Sequence, residues 1–200
     1  MTQSGIKLFD FQGSPVILKW WFFILFAFLS PILVVIIFMS VLLHEMGHAY
    51  VANKLGYRVR GISIDVFFGA AEMDISQIHE RDSIKITLGG PVINLILFLI
   101  SSLIWIIIPI GSVKEILWSA LSVNAILFSS NMLPIFPTDG GRIFRDIMVI
   151  KNRQRAIEIS AIVSLIFCIL VAIFGAIFGH WMVVIFAIFF GYLAIKELKS

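Results

Sequence analysis

Long apolar stretches alternate along this chain with short, polar, charged ones. Uncharged runs extend from Trp20 to Leu43, Ile86 to Val113, Ile116 to Thr138 and Ile159 to Ile195, and a helix needs roughly 20 such residues to cross a bilayer. As a single helix the last run would reach about 55 Å at ~1.5 Å per residue, well beyond a hydrocarbon core of ~30 Å. It is therefore expected to fold back at Gly175, Gly179 and His180. The first apolar block, Val16 to Ala52, poses the same problem, with Ser30 and Pro31 near its middle. Proline either kinks a helix or opens a new one at its first turn.

Charge selects between these two readings. Six spans near 16–30, 31–53, 88–110, 114–134, 157–177 and 181–197 leave every lysine and arginine except Lys114 on one side. The positive-inside rule assigns that side, with both termini, to the cytoplasm. The expected fold class is thus a mainly α membrane protein: six transmembrane helices forming a single membrane-embedded domain over residues 1–200.

Two stretches on the charged side break the helical pattern. RVRGISIDVFF sets Ile62, Ile64 and Val66 against Ser63, Asp65 and Phe67, a period of two that predicts a strand with one protected face. IKLFDFQG, near the N-terminus, is a candidate to pair with it, and FFGAAEMD, from Phe67, can supply a turn and a return strand. The expectation is a small cytoplasmic-side β-sheet or hairpin. It either lies on the membrane surface or offers an edge to an extended peptide through main-chain hydrogen bonds.

Composition agrees with the membrane reading. Of 200 residues, 60% are hydrophobic and 14% charged, and the mean hydropathy is +1.04, which excludes an ordinary soluble domain. The net charge of +3 says little beyond cytoplasmic loops facing anionic lipid; the bilayer is an expected partner and nucleic acid is not. The opening MTQSGIKLFDFQG lacks the basic, apolar and small-residue regions of a removable signal. The lone cysteine, Cys168, excludes an intrachain disulfide and is expected to fill core. No internal repeat or second domain is evident, and the oligomeric state is not legible.

Against this apolar background stands VLLHEMGHAY, residues 41–50. On a helix His44 and His48 lie one turn apart on the same face, so both imidazoles can reach one zinc ion, with Glu45 beside them to handle a proton. Ionisable side chains inside a spanning segment are costly and mark functional sites. His79 and His180 are lone loop histidines without such partners in the sequence. A catalytic zinc takes three protein ligands and leaves one position open. The carboxylate near the later spans that stands outside an obvious surface cluster is Asp139, in NMLPIFPTDGGR. There Pro134 and Pro137 break the helix, and Gly140 and Gly141 permit a tight turn after the aspartate.

HEMGH ending an early span, GGPVIN opening a middle one and NMLPIFPTDGG following a later one together resemble the site-2 protease family of intramembrane zinc metalloproteases. The resemblance runs in order and spacing from about Gly5 to Leu198. It implies six spans, one zinc ion held by His44, His48 and Asp139, Glu45 as the catalytic carboxylate and an active-site role for Asn131. It further implies that Gly90 and Asn94, matching the family's G-x-x-x-N element, border the substrate cavity. Thr138 departs from the pattern, standing where a large apolar residue usually precedes the aspartate. The family's PDZ and CBS modules have no counterpart in these residues.

The implied activity is hydrolysis of peptide bonds within or next to the transmembrane helix of single-span substrates, as in regulated intramembrane proteolysis of a prokaryotic cell membrane. Glu45 would take a proton from the attacking water and return it to the departing amine. Two other classes compete with this one: a catalytically silent membrane scaffold or chaperone of the same fold, and an ion transporter. The first would be favoured by loss of Glu45 or a ligand, and none is lost. Transport needs no base of the kind HExxH supplies.

Overall fold

Gln12 and Gly13 adopt φ values of 48° and 84°, the paired left-handed conformation that a two-residue hairpin turn requires. They join β1 (Gly5–Phe11) to β2 (Ser14–Lys19), antiparallel, with Phe11 opposite Ser14 and Gly5 opposite Lys19. β2 pairs in parallel with β3 (Val59–Ile64), Val16 beside Ile62 and Leu18 beside Ile64. β3 pairs antiparallel with β4 (Gly69–Met73), giving a mixed sheet in the order β1-β2-β3-β4. These elements come from a computed structural model that describes residues 5–65, 69–73, 78–109 and 111–198.

Parallel strands need a long crossover. Here it is a 3-10 helix, Trp20–Ala27, followed by α1, Pro31–Lys54, which packs on β3 and β4. α1 starts where the sequence places a start: the Ser30 hydroxyl accepts from the Leu33 N–H at 3.4 Å, with Pro31 in the first turn. The 3-10 helix runs against α1, Phe22 meeting Phe38 edge-on at 5.6 Å.

The structure departs from the sequence expectation in two places. The first span, near 16–30, is not an α-helix but the end of β2 followed by eight residues of 3-10 helix, about 16 Å long at ~2.0 Å per residue. SPVILK is the interior strand between β1 and β3, with Val16, Ile17 and Leu18 all buried. An interior strand reads as a continuous apolar run, which periodicity cannot separate from a buried helix. The expected pairing of IKLFDFQG with RVRGISIDVFF is replaced by one in which β2 stands between them. Ser63 is buried along with Ile62 and Ile64, so β3 has both faces covered where one was expected. The return strand after Phe67 exists as β4; the turn itself lies outside the described residues.

The remainder is helical: α2 (Glu80–Ile107), α3 (Ser112–Met132), α4 (Asp139–Lys151), α5 (Ala156–Ile177) and α6 (Trp181–Leu198). Among the described residues, α1, α2 and α5 are long and apolar enough to cross a membrane, and Trp181–Lys196 forms a shorter apolar helix. The chain divides into two compact units, one of Met1–Ile78 with Leu88–Phe128, the other of His79–Thr87 with Ser129–Ser200. In the second unit α5 and α6 form a tight hairpin. It turns at Gly179, φ 71°, and is closed by the His180 N–H donating to the Gly175 carbonyl at 2.7 Å. The start of α2 is tied to α4 in the same unit, where Ser83 Oγ donates to buried Asp146 at 2.5 Å.

Candidate metal centre

α1 carries His44, Glu45 and His48 on its C-terminal half, all three buried. The i, i+4 spacing stacks the two imidazoles one turn apart, their planes 86° apart with centroids at 4.7 Å. Their Nε2 atoms face each other at 3.1 Å. Together the three side chains offer ligand atoms within 4.8 Å of one another.

The ceiling over these rings is α2. Gly47 and Gly89 meet backbone to backbone, and next along α2 is Gly90, where a Cβ would stand 2.6 Å from His44 Nε2 and closer still to His48 Nε2. The missing side chain is thus what keeps the space before both nitrogens open. Two ligands on a tetrahedral zinc with Zn–N of ~2.05 Å lie about 3.3 Å apart. The observed 3.1 Å, the nitrogen donors and the cradle under Gly90 therefore fit zinc.

Hydrogen bonds decide how each ring presents itself. Asn94 Oδ1 lies 2.5 Å from His44 Nδ1, and the Gly90 N–H donates to His48 Nδ1 at 3.2 Å. An acceptor at Nδ1 makes Nε2 of a neutral His48 a donor toward His44 Nε2. Binding a metal through both Nε2 atoms therefore requires His48 to take its other tautomer.

Of the residues singled out in the sequence, His44, Glu45, His48, Gly90 and Asn94 come together in the first unit. Asn131 and Asp139 belong to the second. Asn131 is half-buried in the last turn of α3, and Asp139 is the buried first residue of α4. The segment before Asp139 is pinned from within its own unit: the Thr138 hydroxyl reaches the carbonyls of Leu133 and Ile135 at 2.8 and 2.7 Å. The same oxygen caps α4, accepting from the Gly141 N–H at 3.4 Å. Ser164 Oγ accepts from the Phe136 N–H at 2.9 Å, and the Phe136–Pro137 bond is cis.

Gly140 and Gly141 differ from expectation. They do not make a turn; they form the first turn of α4. A Cβ on Gly140 would come within 2.5 Å of Met132, and one on Gly141 within 2.5 Å of the Ile135 carbonyl, so close approach of the 132–136 backbone is what demands glycine. Two further polar residues, Ser40 and Asn124, are buried and bonded to Asn94. Neither belongs to a motif in the sequence; the signal for Asn124 is an asparagine inside an apolar run.

Residues 32–111 and 107–174 match the profile of Peptidase family M50. A zinc metalloprotease of Methanocaldococcus jannaschii is 26% identical over 98% of this chain and 61% of its own length. A Synechocystis sp. protein described as a candidate zinc metalloprotease is 28% identical over 66% of this chain and 36% of its own length. The chain thus spans less than two thirds of either relative. A solved structure, the site-2 protease from Methanocaldococcus jannaschii, superposes with a TM-score of 0.71 at 26% identity, covering 96% of this chain and 94% of that one. Since the profile match takes in both the histidine helix and the aspartate segment, the chain belongs to peptidase family M50, the site-2 proteases.

Proposed function

We propose that this protein is an intramembrane zinc metalloprotease that hydrolyses peptide bonds within or beside the membrane helix of single-span substrates, in the manner of regulated intramembrane proteolysis. The observation that carries it is the pair of buried Nε2 atoms 3.1 Å apart, with Glu45 beside them and Gly90 leaving the space before them open. His44 and His48 would hold one zinc ion together with Asp139, a hard oxygen donor that completes a His2Asp set. When bound, zinc supplies Lewis acidity, which brings the pKa of a water down to about 7 and polarises a carbonyl.

The chain's own groups do the rest. Glu45 takes the proton of the attacking water and delivers it to the leaving amine; such general acid–base transfer contributes on the order of 100- to 10,000-fold. Asn131 donates its amide N–H to the developing oxyanion, a contact whose removal typically costs on the order of 100-fold or more. A helical peptide bond has its carbonyl engaged, so the substrate has to unwind locally before it can be attacked.

The proposed topology is multi-pass, with both termini and the sheet on the cytoplasmic side of a prokaryotic membrane. It is supported by the restriction of lysine and arginine, Lys114 excepted, to one set of segments. The parallel pairing of β2 with β3 supports it as well: residues 20–30 must carry the chain from the sheet to the far end of α1, which itself returns to the sheet.

The test uses purified wild type and Glu45→Gln, with zinc content and cleavage of single-span substrates in detergent measured on both. Equal zinc with cleavage by wild type alone is expected. Cleavage by Glu45→Gln at the wild-type rate would remove the assigned mechanism.

A further inference from the structure

We propose that Ser40 and Asn124 are positioning residues for the metal ligand His44, acting through Asn94 to hold its imidazole in the single tautomer that can bind zinc through Nε2. This rests on the metal-centre reading above and adds to it residues that neither the HExxH pattern nor the aspartate segment contains.

The carbonyl of Ala120 can only accept. Asn124 Nδ2 lies 2.9 Å from it and 3.0 Å from Ser40 Oγ, so the nitrogen end of that amide is identified and Oδ1 is its other end. Asn94 Nδ2 donates to this Oδ1 at 2.8 Å and approaches the Ser40 carbonyl at 3.5 Å. The oxygen of Asn94 is thereby turned toward His44, where it meets Nδ1 at 2.5 Å. A carbonyl oxygen there calls for a hydrogen on Nδ1, and a neutral imidazole with its hydrogen on Nδ1 has the free lone pair on Nε2.

Burial makes the relay binding on the ring. Asn94 is 0% exposed, Asn124 3% and Ser40 4%, so solvent does not offer either amide an alternative partner. Rotating Asn94 by half a turn would oppose acceptor to acceptor at Asn124 Oδ1 and at the Ser40 carbonyl, and buried polar groups do not tolerate such mismatches. Outer-shell groups that orient a metal-binding histidine in this way typically govern about 10- to 100-fold of metal affinity. With both ends of its amide engaged, Asn94 is assigned to holding His44 and not to lining the substrate cavity. At His48 the Nδ1 faces a donor instead, the Gly90 N–H.

The experiment measures zinc affinity of the full chain in detergent by competition with a chromophoric chelator, alongside ring 15N shifts of His44. Asn124→Leu removes the acceptor that orients Asn94, and zinc affinity is expected to fall about 10- to 100-fold, with His44 showing a mixture of tautomers. Adding Asn94→Asp is expected to bring affinity back to within a few-fold of wild type, since a carboxylate accepts from Nδ1 whichever way it is turned. Asn124→Ala serves in the same design should leucine not be accommodated. Unchanged affinity in a folded Asn124 variant would overturn the relay, as would a loss that Asn94→Asp leaves uncorrected, because that loss would come from packing. A wild-type chain that binds no zinc would instead overturn the metal-centre reading itself, and the relay with it.

Discussion

Gly47 on α1 and Gly89 on α2 touch backbone to backbone: a Cβ on Gly89 would lie 2.5 Å from the Gly47 carbonyl oxygen, and a Cβ on Gly47 would collide with the carbonyl of Gly89. Small residues let membrane helices approach this closely. The crossing lowers Gly90 onto the two imidazoles and brings Asn94 to His44. Alanine at 47 or 89 is therefore expected to destabilise the protein by ~1–3 kcal/mol, the usual cost of overpacking, and to reduce bound zinc as well. Thermal unfolding and elemental analysis on the same samples check both effects.

Gly90→Ala separates the metal site from the helix crossing. Its methyl would meet the ends of the two histidine rings instead of backbone, and alanine favours a helix over glycine by about 1 kcal/mol. The variant is expected to fold as well as wild type while binding zinc about 5- to 160-fold more weakly, which is what an overpacking cost of ~1–3 kcal/mol implies. Equal zinc affinity in a well-folded Gly90→Ala would mean that the metal does not occupy the space under this residue.

Asp139→Ala tests the proposed third ligand. Zinc affinity should fall by more than the ~10- to 100-fold associated with an outer-shell partner. The control is Asp146→Asn, a buried aspartate seven positions along the same helix whose carboxylate is held by Ser83; it should leave zinc binding unchanged. Chelator competition on both variants gives the comparison.

Thr138→Val keeps the shape of the side chain and removes the hydroxyl that caps α4 and bonds Leu133 and Ile135. Loss of a helix cap costs about 1 kcal/mol. The expected result is a lower unfolding temperature and faster amide exchange at the start of α4, with Thr138→Ser close to wild type. Equal behaviour of valine and serine variants would show that the hydroxyl contributes nothing.

The proposed topology is checked with single cysteines at Asp10 and Ser112 in a Cys168→Ala background. Both positions are exposed. Asp10 lies on β1 and Ser112 opens α3, close to Lys114, which stacks on Trp105 at 4.5 Å as interfacial aromatic and basic residues do. A membrane-impermeant thiol reagent should label one from each side, and labelling of both from the same side would overturn the arrangement.

What could be read in advance was local. The i, i+4 placement of His44 and His48, the start of α1 at Ser30 and Pro31 and the α5–α6 hairpin at Gly179 each follow from a few consecutive residues, because helix period, capping and left-handed glycine act within a turn or two of the chain. The interior strand β2 was not legible, since SPVILK is apolar whether it sits inside a sheet or inside a lipid-facing helix. The reason for Gly140 and Gly141 was missed for a related cause: a close approach by residues 132–136 leaves no trace in the dipeptide itself.

By itself, then, the sequence determined a membrane-type helical chain with two histidines on one helix face and a glutamate beside them, through short-range rules of spacing and charge. Tertiary structure alone decided what surrounds that pair. His44 meets Asn94 across 50 positions and Ser40 meets Asn124 across 84. Which buried donor faces which acceptor depends on how closely two helices approach, and Gly47 and Gly89 set that distance only once they are packed against each other.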